Sequence, residues 1–364
     1  MTDPDNLASG GLPPSMDISL WRTLDAAANR ASEGLRVIED FVRYGQNDSF
    51  LTTELKSLRH QLDSTLQRFD RSQAIASRDT FGDVGTTVQG KLEHARADWA
   101  DLLTANFKRL QQALRSLEEH AKLVDGEVAA SFERARYLTY SLEKMVMTTV
   151  TASQAFSEVS IYVLTDGRAD GQLFDTFVAK LVEAEVDVIQ LRDKNLDDRT
   201  LLARADVLRK RTAGTRTKMI LNDRADLAKV SGADGVHVGQ EELTVSQARS
   251  VLGVGKLVGV STHSIEQARQ AVRDGADYIG IGPTFPSGTK TFDSFPGVEL
   301  LREVASEITL PGFAIGGIDL GNVAKVAAAG IRRVAVSGCV AKAEDPVAVV
   351  HELREALSVG SQSR

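Results

Sequence analysis

Between about Leu20 and Val150 the apolar residues recur at helical spacing. Leu24, Ala28, Ala31, Leu35, Ile38 and Val42 step by four and three, which sets them on one helix face. The same spacing predicts further helices around 51–69, 97–123 and 129–149, with a polar, glycine-punctuated loop over 77–85. From Ser160 onward the pattern changes to short Val/Ile-rich runs at 161–165, 188–192, 219–221, 235–238, 257–260, 278–281, 313–315 and 334–336. Amphipathic stretches such as 174–184, 201–211 and 265–274 separate most of them.

Runs this short and continuously apolar read as strands covered on both faces. Eight of them, alternating with helices, predict an α/β fold: a (β/α)8 TIM barrel over 158–358, preceded by an all-α helical domain over 16–152. A doubly wound sheet is the rival. It is disfavoured because the strand count reaches eight and polar residues cluster after nearly every strand. Residues 1–15 and 358–364 are polar or rich in Ser, Gly and Pro, and are expected to be a disordered tail and a frayed end.

The helical half repeats itself at an offset of 79. Leu24, Ala26, Arg30, Leu35, Arg36 and Glu39 recur as Leu103, Ala105, Arg109, Leu114, Arg115 and Glu118, and Asp40 is matched by Glu119. Apolar matches are what any two core helices share. The matched Arg and Glu have two readings: intrahelical pairs on a solvated face, or two similar charged faces set opposite one another.

Composition narrows the function classes. A chain of 364 residues fits two domains, and 42% apolar with 26% charged residues is ordinary for a globular protein. A formal charge of -7 argues against non-specific nucleic-acid binding. Cys339 is the single cysteine, so no intramolecular disulfide or cysteine-rich metal site is available. No apolar span of ~18 residues predicts a membrane helix. The acidic start lacks a basic and then apolar leader, so a cytoplasmic location is expected.

The strand ends carry the chemistry, because a barrel of this kind builds its site there. In order they read Gln190-Leu-Arg192-Asp-Lys194, Asn222-Asp223, Gly239-Gln-Glu-Glu242, Ser261-Thr-His263, a loop from Gly282 to Lys290, Gly316-Gly317 and Ser337-Gly338. The alternation in the second strand is expected to send Gln190, Arg192 and Lys194 to one side. Asp223 is either a metal ligand or the cap of the next helix. Asp223 and Glu242, as hard oxygen donors, can share one Mg²⁺ whose shell substrate phosphates complete. Arg192, Lys194 and Lys290 can neutralise further phosphate charge. The loop hydroxyls Ser287 and Thr289 beside Lys290 suit a pyrophosphate, and the glycines after the last two strands suit a monophosphate. His263 is either a general base or a rim residue.

These residues resemble a known family. Gln190-x-Arg192-x-Lys194, Asn222-Asp223, Gly235-Val-His-Val-Gly-Gln240, Gly259-Val-Ser261, Gly282-Pro-Thr-Phe-Pro286 with Thr289-Lys290, and Ile315-Gly-Gly-Ile318 are similar to thiamine phosphate synthases over roughly 158–358. The resemblance implies a Mg²⁺-assisted transferase that joins hydroxymethylpyrimidine pyrophosphate to a thiazole phosphate and releases pyrophosphate. It implies Asp223 and Glu242 as Mg²⁺ ligands. Arg192, Lys194, Asn222, Ser287, Thr289 and Lys290 would hold the pyrophosphate, with Lys290, Arg192 and Lys194 as the catalytic cations. Gln190 and Ser261 would line the pyrimidine site, while Gly317, Val336 and Ser337 would hold the thiazole phosphate. Two positions depart from the family pattern: Glu242 stands where Asp is usual, and Ser287 where Thr is usual.

The helical half, through Asn29-Arg-Ala-x-Glu-Gly-Leu-Arg-Val-Ile-Glu-Asp40 and Arg78-Asp-Thr-x-x-Asp-Val-Gly85, resembles a domain proposed as an alternative hydroxymethylpyrimidine phosphate kinase. Arg30, Arg36, Arg43, Arg78, Asp79 and Asp83 are the candidates there, although no phosphate-binding loop is evident. A dimerising or scaffolding role, and with it a homo-oligomer, is the other reading. Rivals for the barrel are a thiazole tautomerase using His263, or a sensor of phosphorylated ligands. The expected partners are small molecules, with neither nucleic acid nor membrane.

Overall fold

A computed structural model describes residues 14–83, 96–286 and 296–358. Its contacts divide the chain into two compact units, Met1–Asn47 with Leu51–Lys144, and Asp48–Phe50 with Met145–Arg364.

The first unit is helical, as its spacing requires. Its elements are α1 (Pro14–Asp40), a π-helical segment (Phe41–Gln46), α2 (Ser49–Leu66), α3 (Arg71–Ala76), α4 (Trp99–Ala121) and α5 (Gly126–Ala155). Proline opens α1 from within the stretch expected to be a tail. Leu24, Ala31, Leu35, Ile38 and Val42 are all buried, with Ala27 rather than Ala28 completing the stripe. The offset repeat bears out the intrahelical pairing, though not the solvated face expected with it. Arg36–Glu39 and Arg115–Glu118 are intrahelical pairs one turn apart. Both glutamates are nevertheless buried, and each is also held by an arginine of the following helix. Arg59 Nε lies 3.0 Å from Glu39, and Arg136 Nε 2.8 Å from Glu118.

The second unit is a closed, all-parallel barrel in sequential order: β1 (Ile161–Thr165), β2 (Val188–Leu191), β3 (Lys218–Asn222), β4 (Gly235–Val238), β5 (Leu257–Thr262), β6 (Tyr278–Ile281), β7 (Gly312–Ile315) and β8 (Val334–Val336). Closure comes from β1 pairing with β8, Val163 opposite Val336. The outer helices are α6 (Gly171–Glu183), α7 (Asp198–Thr212), α8 (Ala225–Ser231), α9 (Val245–Leu252), α10 (Ile265–Asp274), α11 (Gly297–Glu307), α12 (Val323–Ala328), the short α13 (Gly338–Ala341) and α14 (Pro346–Ser358). Several begin where a side chain caps them. Asp170, Asp197 and Ser264 accept from backbone amides of α6, α7 and α10, and Thr244 with Gln247 forms a capping box on α9.

The barrel interior is a plug. Tyr162, Val188, Ile220, Tyr278, Phe313 and Ala335 point inward and pack with Phe156. Tyr278 fits because β5 carries Gly259 beside it, where any Cβ would overlap the phenol ring. Side chains alternate along each strand. One inward step beyond the plug the residues become Gln190, Asn222, His237 and Ser261, so the plug is the floor of a polar mouth.

Candidate active site at the barrel mouth

Lys194 ties two strand ends together. Its Nζ lies 3.0 Å from Asp223 Oδ2 and 3.3 Å from Glu242 Oε1. The bond to Asp223 holds its pKa above the ordinary lysine value, so it stays an ammonium. The expected alternation along the second strand reaches only Gln190. The strand ends at Leu191, because Asp193 turns the chain by accepting from the amides of Gly167 and Asn195. Lys194 therefore arrives at the mouth from a loop. Arg192 still donates its backbone N–H to Thr165 at 2.8 Å, extending the ladder by one bond. Its half-buried guanidinium has no carboxylate partner among the described residues.

Asp223 does not cap the next helix. The residue before α8 is Arg224, and no side chain caps that end. Asp223 instead has φ 60, a left-handed conformation uncommon outside glycine, and its amide donates to the His237 carbonyl at 2.8 Å. Strained backbone of this kind is retained where the surroundings over-determine it, often at functional sites. The longer Glu242 side chain reaches the same ammonium as Asp223, so the extra methylene does not separate the two carboxylates.

Beneath this charged rim is a buried polar layer. Gln190 is 1% exposed, donates Nε2 to Tyr162 Oη at 2.8 Å, and leaves Oε1 without a partner among the described residues. His237 is 8% exposed, meets Ser261 Oγ through Nε2 at 3.0 Å, and leaves Nδ1 unpartnered among the described residues. Burial, reinforced by the nearby Arg192 charge, pushes the His237 pKa down to about 4, so the ring is neutral near pH 7. Two buried atoms on β2 and β4, unsatisfied among the described residues, ask for a ligand with complementary polar edges.

The β6 and β7 exits run side by side. Thr284 and Phe285 donate backbone N–H groups to the Ile315 and Gly316 carbonyls, each at 2.9 Å. Gly317, at φ 62, passes so close to the Phe285 and Pro286 carbonyls that a side chain there would collide. Asn322 Nδ2 ties the Gly317 carbonyl at 2.8 Å, fixing this turn. His263 is a rim residue: its Nδ1–H donates to the Gly282 carbonyl at 2.5 Å, and its amide binds Gln267.

The sequence candidates thus divide. Gln190, Arg192, Lys194, Asn222, Asp223, Glu242 and Ser261 come from β2 to β5 and share one side of the mouth. Gly317 and Ser337 follow β7 and β8 on the other. Val336 alternates with the inward Ala335, so its side chain faces away from the interior and only its backbone is available. Ser287, Thr289 and Lys290 lie outside the described residues. His237, Tyr162 and Tyr278 were not among the candidates. Their signal was a lone polar or phenolic group at an inward position of an otherwise apolar strand.

Comparison with known proteins agrees with this picture. The family described as thiamine monophosphate synthase matches residues 161–340, and the ThiD2 family matches 22–145. A thiamine-phosphate synthase of Rhodopirellula baltica is 49% identical over 332 residues, covering 89% of this chain and 88% of its own. One from Gloeobacter violaceus is 40% identical over 328 residues, covering 89% of this chain and 93% of its own. The solved thiamine phosphate pyrophosphorylase of Pyrococcus furiosus superposes with a TM-score of 0.51 at 31% identity, covering 56% of this chain and 97% of that one.

Proposed function

This chain belongs to the thiamine monophosphate synthase family, and from its mouth geometry we propose how its residues divide the family reaction. That reaction couples 4-amino-5-hydroxymethyl-2-methylpyrimidine pyrophosphate to 4-methyl-5-(2-phosphoethyl)thiazole, giving thiamine phosphate and pyrophosphate. The observation that carries the reading is the convergence of Asp223 and Glu242 on one ammonium, above two buried polar atoms, Gln190 Oε1 and His237 Nδ1, that have no partner among the described residues.

Gln190 and the His237–Ser261 pair receive the aminopyrimidine edge. Arg192, Lys194 and Asn222 face the pyrophosphate, with Lys290, Thr289 and Ser287 as further ligands on sequence grounds. Gly317, the Val336 backbone and Ser337 take the thiazole phosphate. An electron-rich aminopyrimidine supports positive charge on its methylene carbon as pyrophosphate departs. The protein's task is then to stabilise the leaving group and hold the thiazole nitrogen in line. No strong base is needed, which suits a neutral, buried His237 and a His263 engaged at the rim.

The donor set also fits a divalent cation. Two carboxylates already gather round a single positive charge, and Mg²⁺ is commonly held by one or two carboxylates plus substrate phosphates. Asp223 and Glu242 would hold Mg²⁺, which when bound supplies charge neutralisation on the pyrophosphate oxygens. Incubating the protein with both substrates and Mg²⁺ tests the reading. Thiamine phosphate and pyrophosphate should appear in equal amounts, and their absence overturns it.

For the helical unit, the ThiD2 match supports phosphorylation of the pyrimidine monophosphate. Its candidates are dispersed. Arg78 is committed to Asp25, Arg36 pairs with Glu39, Arg43 lies over Tyr44, and Arg30 binds the Ala26 carbonyl. Asp79 binds Arg22 and the Gly82 amide. Supplying the monophosphate with ATP in the same assay tests this activity: product formation supports it, and a strict need for the pyrophosphate overturns it.

A further inference from the structure

Lys194 already neutralises the two carboxylates assigned to the divalent cation. Its Nζ lies 3.0 Å from Asp223 Oδ2 and 3.3 Å from Glu242 Oε1, and it is the cation with which both pair among the described residues. The partners differ in freedom. Asp223 is held by its backbone, at φ 60, with its N–H given to the His237 carbonyl at 2.8 Å. The lysine side chain is 55% exposed, against 20% for Asp223 and 30% for Glu242. It stands on the loop after β2 and carries its charge on a flexible stem. Asp223 is thus the fixed member of the cluster, and the ammonium is the one free to leave.

A divalent ion that binds these carboxylates meets the lysine charge in one of two ways. Each carboxylate has a second oxygen, so the ion can bind beside the ammonium, and then it bears like-charge repulsion at close range. Otherwise the ammonium withdraws, and ion binding bears the loss of two ion pairs. Either way the lysine opposes the ion. The sign does not depend on which oxygens are used. A pyrophosphate reverses the balance, because it supplies an anion on which the displaced ammonium can settle.

We propose that Lys194 is an exchangeable counter-ion that makes divalent-cation binding contingent on pyrophosphate. It opposes an ion arriving alone at Asp223 and Glu242, and passes to the pyrophosphate when the two arrive together. This role rests on the reading that the two carboxylates hold Mg²⁺, and it adds a coupling between ion and substrate.

Lys194→Met keeps most of the stem and removes the charge. With the full-length protein and no substrate, Mn²⁺ binding is read from the EPR signal of the free ion. The variant should bind Mn²⁺ on the order of 10-fold more tightly than wild type, the scale left for a partly solvated unit charge after screening. Lys194→Gln, a second neutral variant, should show the same gain, and Lys194→Arg should stay near wild type. Asp223→Asn in the Lys194→Met background should abolish the gain, which ties the ion to this carboxylate. At saturating Mg²⁺, Lys194→Met should raise KM for the pyrimidine pyrophosphate and leave KM for the thiazole phosphate unmoved. A lysine that merely braced the loop would weaken Mn²⁺ binding when removed. Unchanged or weaker Mn²⁺ binding in the neutral variants, or an equal gain in Lys194→Arg, overturns the exchange and leaves the functional reading intact. Wild-type protein that forms no thiamine phosphate from both substrates and Mg²⁺ overturns the functional reading and the exchange together.

Discussion

His237 shows how much a single position decides. Its ring is buried in the barrel mouth, and its pKa is pushed down to about 4, first by burial and then by Arg192. The unfolded chain takes up this proton near pH 6.5 and the folded chain only near 4. Between those values the unfolded state binds more protons, so this residue's contribution to stability falls on acidification through that window. In an NMR titration from pH 8 to 5 the His237 ring resonances should stay still, and a midpoint near 6.5 would contradict the burial argument. Lys194 is the complementary case, a cation fixed by two carboxylates. Lys194→Ala is expected to lower turnover by on the order of 10²-fold, the scale of losing one electrostatic donor to a leaving group. A near-normal rate would remove it from the leaving-group site. Cys339, by contrast, is a quiet thiol. Burial pushes its pKa up to about 11, so alkylation at pH 8 should be roughly 100-fold slower than for a thiol at the ordinary value, by the difference in thiolate fraction.

Among elements, the paired helices carry a device that spacing alone disguised. Arg36–Glu39 and Arg115–Glu118 looked like solvated intrahelical pairs, because one turn separates their members. Local periodicity cannot report that an arginine of the next helix closes over each glutamate, since Arg59 and Arg136 lie 20 and 18 positions further on. Burial changes the energetics. Removing Arg136 leaves the buried Glu118 to the more exposed Arg115 and Lys122 and takes away one charge-assisted hydrogen bond, so Arg136→Ala should destabilise the protein by about 1.5–3 kcal/mol. Replacing both Glu118 and Arg136 by apolar residues of similar volume should recover most of that loss, and denaturant melts of the two variants check it. In the barrel, β2 makes a related point. Alternation was expected to carry Arg192 and Lys194 along with Gln190, yet Asp193 breaks the strand and a loop delivers the lysine. Turn chemistry at one aspartate overrode the strand period.

For the whole molecule, the barrel converts eight separated strand ends into one mouth. Residues from Gln190 to Ser261 come together there only because parallel strands all present their C-terminal ends at the same face. The proposal that Asp223 and Glu242 hold Mg²⁺ predicts an activity that depends on a divalent cation. Chelation should abolish product formation and Mg²⁺ should restore it, while Asp223→Asn should raise the Mg²⁺ concentration needed for half-maximal rate. An undiminished rate in excess chelator would set the pair aside as a simple lysine clamp. Among the described residues no helix is long and apolar enough to cross a membrane.

The fold was largely legible in advance. Period-two and period-3.6 patterns are local, and all eight strands were located to within about two residues. The candidate polar residues were legible too, because a polar group ending an apolar strand stands out against its neighbours. What the chain by itself determined, then, is which segments are strands, which are helices, and which side chains are available at the ends. What only the tertiary structure decided is pairing: that Asp223 binds Lys194 instead of capping a helix, that Glu39 and Glu118 are buried, and that His237, Tyr162 and Tyr278 stand around Gln190. The physical reason is range. Backbone preference acts over a few residues, whereas desolvation and hydrogen-bond partners depend on groups that barrel closure brings in from far along the chain.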